Sequence, residues 1–235
     1  MSASERELSV ITRLVRAGRI GLSLGQVKKI VLPIILMLVF AASHWPGLLP
    51  WNFSAAYALM FCAGVYFPKR LVWWLPFTTM LVTDFLLNWY YHVHYGTPMF
   101  GPELIGNYLA YGALVWMGRW FGAKASFMSL VGGGFLGAIV FYLITNTMSW
   151  FFNPFDSPEY TKTLLGWLIA LTKGTTHYTF PIRMETWELF RNNLISGGLF
   201  TALFTGAMKL MVPTETAEED AEEEEAKEQP EEAKA

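Results

Sequence analysis

The chain has 235 residues, 53% hydrophobic and 16% aromatic, with only 15% charged and a mean hydropathy of +0.33. A soluble domain carries about a quarter charged residues, so this balance points to an integral membrane protein and gives no ground for a nucleic-acid partner. The net charge of -2 hides a division: the segment from Thr214 to Ala235 holds eleven acids against two lysines, or -9, which leaves +7 on the rest.

Residues 1–27 read as an amphipathic cytoplasmic segment. Leu8, Ile11, Leu14 and Val15 recur at helical spacing among Arg6, Arg13, Arg16 and Arg19, a pattern that lies on an anionic membrane surface. The apolar run begins only after Lys28-Lys29, so this is not a signal peptide. Residues 28–212 form the membrane domain, whose length suits about six spans of roughly 20 residues. The first runs over 30–43, with Pro33 in its first turn, and stops at His44-Trp45-Pro46-Gly47. Ser54 is a candidate N-cap for the second, 55–67, which is short for a crossing and must therefore sit within a bundle. It contains Cys62, the one cysteine, which reads as a small buried hydrophobe.

The third span covers 71–91 and contains Asp84 and Asn88, with Trp73 and Trp74 as an interfacial anchor. A loop with His92 and His94 follows, then the fourth span at 104–121 with Asn107, Tyr108 and Tyr111 near its start. The fifth, 127–150, carries Gly133 and Gly137 at a spacing that permits close helix approach. It ends in Thr145, Asn146, Thr147, Ser149 and Trp150. The connection 151–187 includes 164–171, which is too short to span and reads as an interfacial or re-entrant helix. The sixth span, 189–211, has Gly198, Ala202 and Gly206 as a small-residue stripe. Residues 213–235, acidic and almost without apolar side chains, read as a disordered cytoplasmic tail.

The expected fold class is thus all-α, a bundle of about six transmembrane helices with one extra interfacial or re-entrant helix. Alternating the loops places eleven basic residues on the side of both termini, against Lys162, Lys173, Arg183 and Arg191 on the other. The positive-inside rule makes the first side cytoplasmic. All four histidines then fall at the outer face.

Asp84 is the most informative single residue, because a carboxylate inside a span is costly and a functional candidate by default. No second acid occurs within a span, so a hydrogen-bonding role is favoured over proton transfer. Asn146 and Trp150, at the outer end of the fifth span, are candidate pocket residues; the plainer reading is a capped helix end within an aromatic belt. The candidate ligand-binding set is Asn52, Asp84, Asn88, Asn107, Asn146, Trp150 and Asn193. His92 and His94 could bind a metal, with His44 and His177 completing a set. Without metal-ligand spacing, no metal is expected. No hydrolase elbow, phosphate-binding glycine loop, haem-attachment or zincin motif is present, so no catalytic residue and no cofactor is expected.

Pro50-Trp51-Asn52-Phe53-Ser54 before a second span with Ala58, Asp84 near the end of the third, Thr145-Asn146 with Trp150, Tyr160 ahead of Leu164-Leu165-Gly166, and Asn193 followed by residues 199–206 together resemble an uncharacterised family of six-span bacterial membrane proteins. That family is similar to the substrate-binding S components of energy-coupling-factor vitamin transporters. The resemblance covers about residues 30–211. It implies an inner-membrane protein that captures a small molecule at its outer face, with membrane lipid and other membrane subunits as partners. The first span lacks the small-residue stripe by which S components dock their coupling subunit. The alternative is an accessory subunit of a larger membrane complex without transport activity.

Overall fold

An apolar segment satisfies its backbone hydrogen bonds within itself only as a helix, and the chain adopts that solution throughout. The computed structural model describes residues 24–45, 47–96, 99–154, 156–175 and 184–228, with side-chain surroundings between Ile34 and Leu210. Among the described residues there are seven helices and no strand: α1 (Leu24–Ser43), α2 (Ala56–Tyr66), α3 (Trp74–Tyr95), α4 (Glu103–Phe121), α5 (Phe127–Phe152), α6 (Leu164–Thr172) and α7 (Thr186–Glu228). Two compact units result, Met1–Ile34 and Ile35–Ala235. The first is described only from Leu24 onwards, as the start of α1, so the arginine-bearing part of the amphipathic segment lies outside the described residues, as does His177. All packing below concerns the second unit.

At the centre of that unit stands α2. Each residue from Ala56 to Val65 is buried, and α4, α5 and α7 pack around it. A helix apolar on every face has no solvent side to present. Its eleven residues rise about 16 Å, half of the roughly 30 Å of a hydrocarbon core. The closest helix approach lies at Gly64 of α2 and Gly118 of α4. A methyl group on Gly64 would stand 2.1 Å from the Val115 carbonyl oxygen, and one on Gly118 would stand 2.1 Å from that of Phe61.

Around this core, α5 is the one helix among the described residues long and apolar enough to cross a membrane, with 26 residues and a hydropathy of 2.1 over its best window. Its rise is about 39 Å. Of the other expected spans, α1 offers the shorter apolar stretch Ile34–Ser43 and α2 its eleven residues. The α5–α7 seam is made by small residues, of which Gly198, against the Phe135 ring, belongs to the expected stripes. Gly134 faces Thr201, and Gly197 faces the Ala138 methyl and the Gly134 carbonyl, whereas Gly133 meets the Phe61 ring and Gly206 lies in open space apart from Phe127 at 4.0 Å.

Several boundaries differ from the sequence reading for local reasons. The first helix begins at Leu24, so Pro33 lies in mid-helix rather than in the first turn. The third begins at Trp74, because Leu71 and Val72 donate back to the Pro68 carbonyl in a turn. It then runs through His92 and His94, expected in a loop, until Gly96 closes it in the left-handed conformation at φ 68°. The last helix continues to Glu228, through most of the segment expected to be unfolded.

Candidate functional site

Asp84 sits midway along α3 and turns toward the end of α1. Its Oδ1 lies 3.4 Å from Nε2 of His44, with the two side chains only 14% and 16% exposed. The other imidazole nitrogen, Nδ1, is 3.3 Å from Ser54 Oγ, and that hydroxyl accepts the Ala56 N–H at 3.1 Å. Ser54 therefore caps α2 through its side chain, although Ala55 is the residue at the cap position. His44 Nε2–H donates to Asp84, and the ring's other side is served by Ser54, either by donating to a bare Nδ1 or by accepting from Nδ1–H. Asp84 Oδ2 is buried without a hydrogen-bond partner, as is the Tyr108 hydroxyl. The Tyr108 hydroxyl interacts with the carboxylate as a hydrogen-bonding neighbour without closing a well-formed hydrogen bond, and Tyr111 lies within its electrostatic reach.

Tyrosines continue the polar line inward. The Tyr111 ring packs on Phe141 at 5.2 Å, and Phe141 packs on Tyr57 at 4.5 Å. The Tyr57 hydroxyl donates to the Asn52 carbonyl at 3.3 Å. Asn193, 1% exposed, finds its partners at the same place when its amide is assigned from hydrogen bonding: the nitrogen then donates to Tyr57 Oη and the Asn52 carbonyl at 2.9 Å each and faces the Leu189 carbonyl at 3.3 Å. Next to it, Asn192 Nδ2 donates to the Trp51 carbonyl at 2.9 Å. The start of α7 thereby fastens the α1–α2 loop, which Asn52 turns by taking a positive φ of 57°.

Two cavities flank the His44–Asp84 pair. One, of about 240 Å³, lies under the α1–α2 loop and is lined by His44, Asn52, Tyr57 and Tyr91, among others; Trp51 stacks on Tyr91 at its edge, with centroids 6.1 Å apart. The other, of about 510 Å³, opens between α3 and α4. Asp84, Asn88 and Tyr108 are its polar residues among Leu81, Val82, Phe85, Leu86, Phe100 and Leu104.

Of the seven candidate residues, the structure thus brings Asp84 and Asn88 to one cavity and Asn52 and Asn193 to the far end of the tyrosine line. It does not bring Asn107, Asn146 or Trp150 to either cavity. Asn146 Nδ2 bonds back to the Tyr142 carbonyl one turn earlier, at 2.9 Å. Trp150 Nε1 donates to the Thr161 carbonyl at 2.7 Å. Lys162 Nζ donates to the carbonyls of Trp150 and Phe151 and lies 5.1 Å over the Trp150 ring. An ammonium at unsatisfied C-terminal carbonyls closes a helix favourably. The polar end of α5 is occupied in holding the following connection.

Among the described residues no three His, Cys, Asp or Glu side chains converge on a metal position. His44 faces Asp84, and His92 and His94 are exposed on the last turn of α3. Two residues apart on a helix, they point about 200° from one another. The sequence reading missed His44 and Tyr108 as companions of Asp84, since a separation of 40 residues between His44 and Asp84 leaves no local pattern.

Fold and site together define an all-helical protein with a membrane-length apolar helix and an enclosed carboxylate beside a lateral cavity. The DUF6580 family, a family of unknown function, matches residues 25–219, and the chain belongs to it. No curated protein and no solved structure matches the chain.

Proposed function

We propose that this protein is a multi-spanning membrane protein that binds a small molecule, in the manner of a substrate-binding S component, with both termini in the cytoplasm and the α1–α2 loop at the outer face. The observation that carries this reading is Asp84. A buried carboxylate oxygen without a donor, at the wall of a 510 Å³ cavity, is costly unless something fills the vacancy. The cavity has the size of a small-molecule site, about 300–1,000 Å³, with few polar groups in an apolar wall. Exposed large apolar side chains on α1 and α3, among them Leu38, Leu81, Val82 and Trp89, suit contact with lipid. Further support comes from the α1–α2 loop, whose backbone carbonyls are gripped by Asn192 and Asn193 as a cover over the smaller cavity.

The test is native mass spectrometry of the full chain, purified gently in a lipid-like environment. A small molecule that stays bound to the folded protein and leaves on unfolding supports the reading. Protein that is empty in every lipid tried, or that always carries a stoichiometric protein partner instead, replaces it with an accessory-subunit role.

A further inference from the structure

The cavity between α3 and α4 has a carboxylate but no lysine or arginine beside it. Among the described residues no lysine or arginine nitrogen comes within 4 Å of Asp84, whose one ion-pair partner is His44. That histidine lies between Ser54 and the Asp84 Oδ1 atom, so its contact leaves Oδ2 to the cavity. What remains is a buried carboxylate oxygen, an acceptor only, and the buried Tyr108 hydroxyl beside it; the two interact, but neither makes a well-formed hydrogen bond. The one ligand group that meets the oxygen's hydrogen-bonding need and its charge together is an N–H-bearing cation. The Tyr108 ring next to it is a surface on which a cation is stabilised.

The rest of the cavity describes the remainder of the ligand. Its wall is made by side chains such as Leu81, Phe85 and Leu104, which offer no hydrogen bond and suit an aliphatic or aromatic body. Tyr108 also borders a second groove of about 620 Å³ lined by Trp73, Trp74 and Trp116. Both spaces lie between α3 and α4, whose contact is sparse and includes the Phe77 and Tyr108 rings, 6.2 Å apart. The path to Asp84 is therefore sideways, between two helices with exposed apolar faces.

We infer that the site between α3 and α4 takes an amphiphilic organic amine in its protonated form, with the ammonium on Asp84 Oδ2, the Tyr108 hydroxyl completing its shell, and the apolar body entering from the bilayer side. This rests on the small-molecule reading above and names its ligand class.

The test uses the full chain in lipid nanodiscs and three probes with similar bodies and different charge: phenethylamine as the cation, 2-phenylethanol as the neutral form and 3-phenylpropionate as the anion. Binding is followed by tryptophan fluorescence and by native mass spectrometry. The expected result is that phenethylamine binds at least tenfold tighter than either of the others, that Asp84→Asn removes this preference, and that Tyr108→Phe, a change with little effect on shape, weakens the cation alone by about threefold or more. Equal binding of the three probes overturns the inference, as does a preference for the anion or a cation preference that survives Asp84→Asn. A neutral or acidic molecule found bound to the purified protein overturns the amine assignment while leaving small-molecule binding intact. An empty protein that binds no probe overturns both.

Discussion

Asn193 shows how one buried amide can hold two distant segments together. Its nitrogen serves Tyr57 Oη, the Asn52 carbonyl and the Leu189 carbonyl, so it joins α7, α2 and the α1–α2 loop. Removing it takes one donor from each acceptor at a position only 1% exposed; the Asn52 carbonyl keeps the Tyr57 hydroxyl, whereas Tyr57 Oη loses its donor from α7. Asn193→Ala is expected to cost about 1–3 kcal/mol, the price of an unsatisfied buried group, read as a lowered unfolding temperature in detergent. Trp150 is held differently, through Nε1 to the Thr161 carbonyl and a stacked Lys162. Trp150→Phe keeps the ring but loses the donor. It is expected to lose about 1 kcal/mol of stability and to loosen the 153–163 connection, measured as faster proteolysis there. Loss of ligand binding in Trp150→Phe without a stability change would assign Trp150 to a pocket rather than to the connection. Sequence alone could not separate these roles. Polar and aromatic residues at the end of a long apolar helix suit both a pocket floor and a helix stop, and only the partner atoms on residues 157–163 distinguish them. Asp84 was legible because a carboxylate in an apolar span needs a reason to be there, whereas its partner was not, since nothing local connects it to His44.

At the scale of elements, glycine positions decide which helices may touch. Gly64 and Gly118 lie at a crossing where any side-chain carbon would meet a carbonyl oxygen at 2.1 Å, while Gly112, on the same helix as Gly118, has nothing within 4 Å. Backbone oxygens cannot swing aside as a flexible side chain can, so Gly118→Ala must push α4 away from α2. The expected loss is about 1–3 kcal/mol or more, seen as a lowered unfolding temperature and poor recovery of folded protein. Gly112→Ala should be neutral or stabilising by up to about 1 kcal/mol, since alanine is the better helix former. Equal effects at the two positions would show that the α2–α4 crossing is not the tight point of the fold. The limits of α4, α5 and α6 were readable to within two residues from the extent of their apolar runs. The seam partners were not. A stripe of small residues says that a face is narrow, but the register is settled by the neighbour, here Thr201 against Gly134 and Phe135 against Gly198.

For the whole molecule, α5 is the one helix among the described residues that meets the length and hydropathy needed for an independent crossing, so the proposed multi-spanning arrangement requires other helices to cross beside it. A helix as short as α2 can lie within the membrane because α4, α5 and α7 enclose it, so burial by protein replaces contact with lipid along its length. The proposed topology then rests on loop charge: Lys69, Arg70, Arg119 and Lys124 on one side, and the uncharged α1–α2 loop on the other. Single cysteines settle this arrangement. The native thiol, Cys62, is 1% exposed and is replaced by alanine to give a silent background. Cysteines are then placed at four exposed loop positions: Leu48, Lys69, Phe100 and Lys124. With a membrane-impermeant maleimide on intact cells, Leu48→Cys and Phe100→Cys are expected to label from outside. Lys69→Cys and Lys124→Cys should label only after the membrane is opened. Labelling of all four from one side would mean that α3 and α4 do not cross as separate spans, and the lateral route to Asp84 would then begin at water rather than at lipid.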